Sequence, residues 1–147
     1  MINYDNPEVE EQWCLEQNAH ALAYFDSIGL KRGEFSEWPA AFIAPIFAIW
    51  AVESGSAPGK IGWWVITGDL PTDYISGTGA PDPRVAVSKF AEKWSGWVEA
   101  VECGAPPTDY TIGEPSEAPD LAALLKTRAQ FLKKLDDEEA FWEEVFG

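Results

Sequence analysis

The sequence predicts an α+β domain: a small antiparallel sheet in an almost uncharged middle, packed by amphipathic helices on either side of it in the chain. Three observations carry this. Between residues 38 and 81 the only charged side chains are Glu53, Lys60, Asp69 and Asp73, so this stretch is built to be covered. Within it, two short runs of β-branched and aromatic residues are separated by a turn-forming segment, the mark of a hairpin. The flanking segments repeat their apolar residues every three or four positions, as helices do.

The elements follow in order. Asn6 before Pro7 reads as an N-cap and first-turn pair, and Glu8, Glu10 and Glu11 suit the positive end of a helix. That helix runs over about 7–28, with Cys14, Leu15, Ala21, Leu22, Phe25 and Ile28 as its main apolar stripe, and Gly29 supplies a left-handed stop. Gly33, Pro39 and Pro45 rule out a regular helix over residues 30–45, which read as an irregular connection with Trp38, Phe42 and Ile43 packed down. Strands are expected at about 46–53 and 61–68, joined by Ser54, Gly55, Pro58 and Gly59 as an antiparallel turn. In the second strand Ile61, Trp63, Val65 and Thr67 share one face, and Gly62, Trp64, Ile66 and Gly68 the other. Both faces are mostly apolar, so both should be buried. A short third strand is expected at about 73–77, making a sheet of two or three strands. Asp82-Pro83 opens a central helix over about 83–103, in which Val87, Phe90, Ala91, Trp94, Trp97, Val98 and Val101 form one face. After a loop rich in proline, C-terminal helices occupy about 120–146. Leu121, Leu124, Leu125, Phe131, Leu132 and Leu135 form the first face, and Asp136-Asp137 cap a second piece.

The chain of 147 residues fits a single domain over 1–147, with eight tryptophans and eight phenylalanines for its core. Ten Lys and Arg stand against 25 Asp and Glu, a formal net charge of −15. Binding phosphate requires cations, and the basic clusters stop at Lys31-Arg32 and Lys133-Lys134, so nucleic acid and anionic membrane surfaces are excluded as expected partners. The acidity reads as solubility, as attraction to a basic partner, or as nucleic-acid mimicry. Cys14 and Cys103 lie far apart and outside any zinc spacing, which suits two free thiols in a reducing cytoplasm. The opening residues lack the basic and apolar regions of a secretory signal, and no apolar run reaches the ~20 residues of a membrane span.

The segment GWWVITGDLPTDYIS, residues 62–76, resembles a small family of uncharacterised bacterial proteins known as a domain of unknown function. PAAFIAPIFAIWAVES at 39–54, DNPEVEEQWC at 5–14 and DPRVAVSKFAEKW at 82–94 are similar to the same family. The resemblance covers about the first two thirds of the chain and thins out after it. It implies a bacterial, cytoplasmic setting, and brings no reaction, cofactor or site residue with it.

The loop GDLPTDYIS at 68–76 leaves the end of the tryptophan-rich strand, a position where sites often form. Asp69 and Asp73 could serve as acid and base or hold a hard cation, and Thr72 and Tyr74 could orient a ligand. The competing reading is structural: Asp and Thr satisfy turn backbone groups and Tyr packs its ring. The pattern Pro-Thr-Asp-Tyr recurs at 107–110, so Asp109 and Tyr110 could line one cleft with Asp73 and Tyr74. His20, the only histidine, could pair with Glu16 as an acid/base couple, or serve as a structural hydrogen-bonding group. Glu53 ends a strand among apolar residues and needs a partner, with Lys60 across the hairpin as the expected one. No spacing completes a transition-metal site, no metal is expected, and no cofactor is specified. At the C-terminus Phe141, Trp142, Val145 and Phe146 form a stripe that packs on its own domain or is offered to a partner. The favoured reading is a non-enzymatic acidic interaction or regulatory protein, working through a protein partner or self-association. The alternative is a small-molecule- or metal-binding domain, or a small enzyme, using a cleft at the 68–76 loop; whether the chain is an enzyme is left open.

Overall fold

Asn6 sits in extended conformation and its side-chain Oδ1 accepts the Glu8 backbone N–H, so the chain turns into helix α1, Pro7–Ile28. Gly29, at φ 84°, closes it by donating its N–H to the Asp26 carbonyl. The computed structural model describes residues 2–104 and 118–147, with the backbone alone at 118 and 119. Among these are four helices and five strands: β1 Arg32–Phe35, β2 Ala41–Ile43, β3 Phe47–Ser54, β4 Ile61–Gly68, β5 Asp73–Ser76, α2 Pro83–Glu102, α3 Ala118–Asp136 and α4 Glu139–Phe146. The architecture is α+β, and the sheet is wholly antiparallel.

The expected two or three strands understate the sheet. β1 and β2 both pair with β3, on the side away from β4, and act as one interrupted edge. The Ser36 N–H donates to the Ala51 carbonyl and the Ala40 N–H to the Ile49 carbonyl, so the ladder continues in part across the interruption. Pro39 and Pro45 do exclude helix here, but they fall outside β2 and cost it no ladder donor. Gly33 lies inside β1, where a β-carbon would land on the Glu53 carboxylate, so the glycine leaves room for that group. β3 and β4 pair from Phe47↔Gly68 to Glu53↔Ile61, with a register shift between Val52 and Glu53 that makes Gly62 the extra residue.

The chain forms two compact units, Met1–Pro83 and Arg84–Gly147. In the first, α1 lies on the sheet face carrying Ala48, Trp50, Val52 and Val65, to which it contributes Trp13, Cys14, Ala21 and Phe25. Leu15, expected in the buried stripe, is 51 % exposed, and Trp13 takes its place at 8 %. The inward row is Trp13 and Cys14, then Ala21, Phe25 and Ile28, still at helical spacing. On the other sheet face Phe47, Ile49, Trp64 and Ile66 are also buried, as the two-sided apolar pattern requires.

Double burial leaves polar groups of the core nowhere to go but to each other. The Trp50 indole Nε1–H donates to Thr67 Oγ1 at 3.1 Å, and the Trp64 Nε1–H donates to the Ala80 carbonyl at 2.9 Å. Each such donor left unmet would cost about 1–3 kcal/mol, enough to matter against a net stability of about 5–15 kcal/mol.

In the second unit the inward row of α2 is Val87, Phe90, Ala91, Trp94, Trp97 and Val98, joined by Ala86. α3 buries Leu125, Leu132 and Leu135 together with the small Ala122 and Ala129, while Leu124 is 39 % exposed. The break between α3 and α4 comes where expected, but Glu138 rather than an aspartate is the N-cap residue, and no side chain caps it. Arg84 holds that corner instead. Its Nη2 donates to the Asp136 carbonyl and to Glu139 Oε1, both at 2.6 Å, and Nη1 reaches Glu139 Oε2 at 3.2 Å. The guanidinium keeps the Glu139 carboxyl below the usual range, first by hydrogen bonding and then by its charge.

Thr67→Val preserves the shape of the β4 core but removes the acceptor for the Trp50 N–H. Chemical denaturation should record a loss of about 1–3 kcal/mol, and an unchanged midpoint would mean that the Trp50 N–H finds another acceptor. Trp142 is 1 % exposed and donates its Nε1–H to the Leu135 carbonyl at 2.8 Å. Trp142→Ala should therefore cost about 3–5 kcal/mol, and a loss under ~1 kcal/mol would place α4 outside the core of its unit.

Candidate functional site

The loop after β4 begins with Asp69, exposed, whose backbone N–H donates to the Ile46 carbonyl. Leu70 turns inward at 8 % exposure, and the chain re-enters the sheet at Asp73, opposite Ile66. Strand alternation then divides the loop's polar side chains. Asp73 lies on the face away from α1, fully buried, with its Oδ1 accepting the Tyr74 N–H at 2.8 Å. Tyr74 is opposite Val65 and faces α1, where its ring stands edge-on to Phe25 at 5.9 Å and tilted to Tyr24 at 6.4 Å. Thr72 faces α1 as well: its Oγ1 lies 2.9 Å from His20 Nε2.

The structure thus brings His20, Thr72 and Tyr74 to one side of the sheet and sends Asp73 to the other. His20 is joined to the loop rather than to Glu16, whose Oε1 accepts from Gln12 Nε2 at 3.2 Å. Glu53 is not part of this group. It pairs with Ile61 at the hairpin end of β3 and β4, whereas the loop leaves the opposite end, beyond Gly68. Eight residues of strand separate the two ends, roughly 25 Å. Nor does Lys60 hold it. Glu53 Oε1 accepts the Glu34 N–H and Oε2 the Gly59 N–H, each at 2.9 Å, and these two amides hold its carboxyl below the usual range. The carboxylate ties β1 to the β3–β4 turn. Asp109 and Tyr110, and with them the second Pro-Thr-Asp-Tyr loop, lie outside the described residues.

At the C-terminus Trp142 is buried, Phe141 stands edge-on to it at 4.9 Å, and Phe146 stacks on it at 6.0 Å while remaining 54 % exposed. Val145 is half-buried. Among the described residues no three of His, Cys, Asp and Glu converge in a way that would hold a metal ion. Burial, with Glu10 nearby, pushes the Cys14 thiol up to about 11, so it stays protonated and unreactive at neutral pH.

A groove of about 300 Å³ lies elsewhere on this unit, along the N-terminal half of α1. Tyr4, Val9 and Trp13 line it, and Glu8, Gln12 and Glu16 form a second row beside them. The signal for it was in the sequence: Glu8, Gln12 and Glu16 recur every four residues, one helical position from Val9 and Trp13. A second groove of about 210 Å³, in the Arg84–Gly147 unit, is lined by charges of both signs, among them Lys133 and the Lys126–Glu102 pair at 3.2 Å.

Because Glu53 has a lowered folded-state pKa, its contribution is complete above the unfolded carboxyl value of about 4.3 and is lost as pH falls through the folded value. The stability gap between the native chain and Glu53→Gln should be widest near neutral pH and should narrow as the pH falls below the unfolded carboxyl value. A gap that stays constant down to about pH 3 would show that charge at this position is immaterial.

No helix among the described residues is long and apolar enough to cross a membrane. No curated protein and no solved structure matches the sequence. One family model does, described as a domain of unknown function (DUF4826), and it spans residues 8–142. The match therefore reaches into the last third of the chain, past the region where the resemblance in sequence was expected to end. The length of that match, across nearly the whole chain, makes this protein a member of the DUF4826 family of domains of unknown function.

Proposed function

We propose that this protein is a non-enzymatic interaction protein of the bacterial cytoplasm that presents an acidic surface to a basic protein partner. The observation that carries the reading is the composition of its first thirty residues. They contain Asp5, Glu8, Glu10, Glu11, Glu16 and Asp26 and no lysine or arginine. All but Asp5 lie on α1, and among the described residues Asp26 is the one of them in an ion pair, with Arg32 at 2.6 Å. A helix anchored by one face on the sheet and carrying several carboxylates elsewhere, only partly offset by the positive helix end, generates a local negative field that attracts cations and repels phosphate. The net charge of −15 works in the same direction.

Other features support the reading. Of the polar residues of the 68–76 loop, Thr72 and Asp73 are engaged by His20 and the Tyr74 amide, the pattern of a structural turn rather than of groups held ready for a substrate. The free thiols Cys14 and Cys103 suit a reducing compartment. A family match running from residue 8 to 142 supports treating the two compact units as one functional domain.

The test is fluorescence anisotropy with three length-matched labelled peptides, one rich in Lys and Arg, one neutral and one rich in Asp and Glu. The basic peptide alone should bind, and its affinity should fall on the order of tenfold between about 50 and about 300 mM salt. If the basic peptide fails to bind at low salt, or all three bind alike, the proposal is wrong.

A further inference from the structure

The groove along α1 combines two kinds of surface, one apolar and aromatic and one acidic. Its floor is apolar and aromatic. Trp13, 8 % exposed in all, lines it and is backed by Phe42 with ring centroids 6.5 Å apart, and Trp38 stands edge-on to Phe42 at 5.8 Å. Tyr4, Val9 and the exposed Ile2 supply the rest of the apolar lining. Its rim is the row Glu8, Gln12 and Glu16, two full carboxylates spaced by two turns, with Gln12 donating to Glu16. No lysine or arginine lines the groove, and none occurs before Lys31.

This combination selects its occupant. An anion would be repelled by both carboxylates. A wholly apolar ligand would cover the floor but would strip water from Glu8 and Glu16 with nothing in return. A bare metal ion would gain nothing from the aromatic floor. A side chain with an apolar stem and a cationic head uses both surfaces at once. Between the two natural candidates the aromatic floor favours arginine, whose planar guanidinium lies against aromatic rings and forks onto carboxylates, over the compact, strongly hydrated ammonium of lysine.

We infer that the groove bounded by Tyr4, Val9 and Trp13 and by Glu8 and Glu16 is a docking site for an arginine side chain presented by a basic segment of a partner protein. The inference rests on the acidic-interaction reading above and assigns that interaction to one place. A general attraction to the acidic surface would be spread over many carboxylates; here a single groove supplies both the contact and the preference for arginine.

The experiment compares two variants of equal net charge in the full chain. Glu8→Gln with Glu16→Gln neutralises the rim, while Glu143→Gln with Glu144→Gln neutralises two exposed carboxylates on α4. The probes are an arginine-rich peptide and its lysine-for-arginine counterpart. The groove assignment expects the arginine peptide to bind the native chain severalfold more tightly than the lysine peptide. It expects the rim variant to lose about tenfold in affinity and the α4 variant less than about twofold. Equal losses in both variants, or no preference between the peptides, overturn the groove and leave the broader acidic-interaction reading standing. No binding of either peptide to the native chain overturns both. Should the rim variant prove poorly folded by circular dichroism, amide and indole chemical shifts of the native chain decide the matter. Perturbations centred on Tyr4, Val9 and Trp13 support the groove, and perturbations centred elsewhere refute it.

Discussion

The structure depends on one constraint: β3 and β4 are buried on both faces, so whatever polarity they carry must be satisfied inside. Each strand is eight residues long, and Phe47, Ile49, Trp50, Val52, Val65 and Ile66 have no exposed surface at all. Tryptophan is a costly choice for such a position, because its large apolar ring comes with an N–H that needs an acceptor. The Trp50 and Trp64 donors are met by Thr67 and by the Ala80 carbonyl, so Thr67 can be polar at zero exposure. At the hairpin end the same demand is met from outside the pair. Glu53 has its carboxylate oxygens met by two backbone amides, one from β1 and one from the turn.

The residues that announce the fold are those whose local chemistry and tertiary role agree. Asn6, Pro7 and Gly29 bound α1 through capping that involves few neighbours, and the start and end of that helix are readable from them alone. The α2 face is readable because its large side chains repeat from Val87 to Val98, over about three turns. β1 and β2 are not readable in the same way. They are four and three residues long, too short to display an alternation, and Gly33 and two prolines mask them. What makes them strands is β3 beside them, a long-range partner that local pattern does not reveal. The exchange of Leu15 for Trp13 has a related cause. Both fit a helical stripe, and the choice between them depends on where the sheet lies.

The candidate site was legible in part. The approach of His20 to Thr72 links residues 52 positions apart, yet each stands out in the sequence, one as the lone histidine and one as a member of an unusual loop. The division of Thr72 and Tyr74 from Asp73 follows from strand alternation once β5 begins at Asp73, but the start of a four-residue strand is the detail that pattern reading resolves least well. Glu53 does take partners, as its place among apolar residues requires. They are not Lys60 but the Glu34 amide of β1 and the Gly59 amide of the turn, and local pattern shows neither the β1 edge nor the direction of a backbone N–H.

α1 is where these threads meet. Its inner row closes the core on Trp50 and Val65, His20 reaches the β4–β5 loop, and its N-terminal half bears carboxylates beside Trp13. A helix used on several sides needs a rigid seat, and the buried strand pair supplies it. Amide hydrogen exchange measures that seat directly. The amides of β3 and β4 that pair within the ladder, from Ala48 to Val52 and from Trp64 to Thr67, should be the slowest to exchange in the Met1–Pro83 unit and should open only with its complete unfolding. Exchange of these amides ahead of those in α1 would contradict the account, because the strand pair would then be resting on the helix rather than the helix on the strand pair.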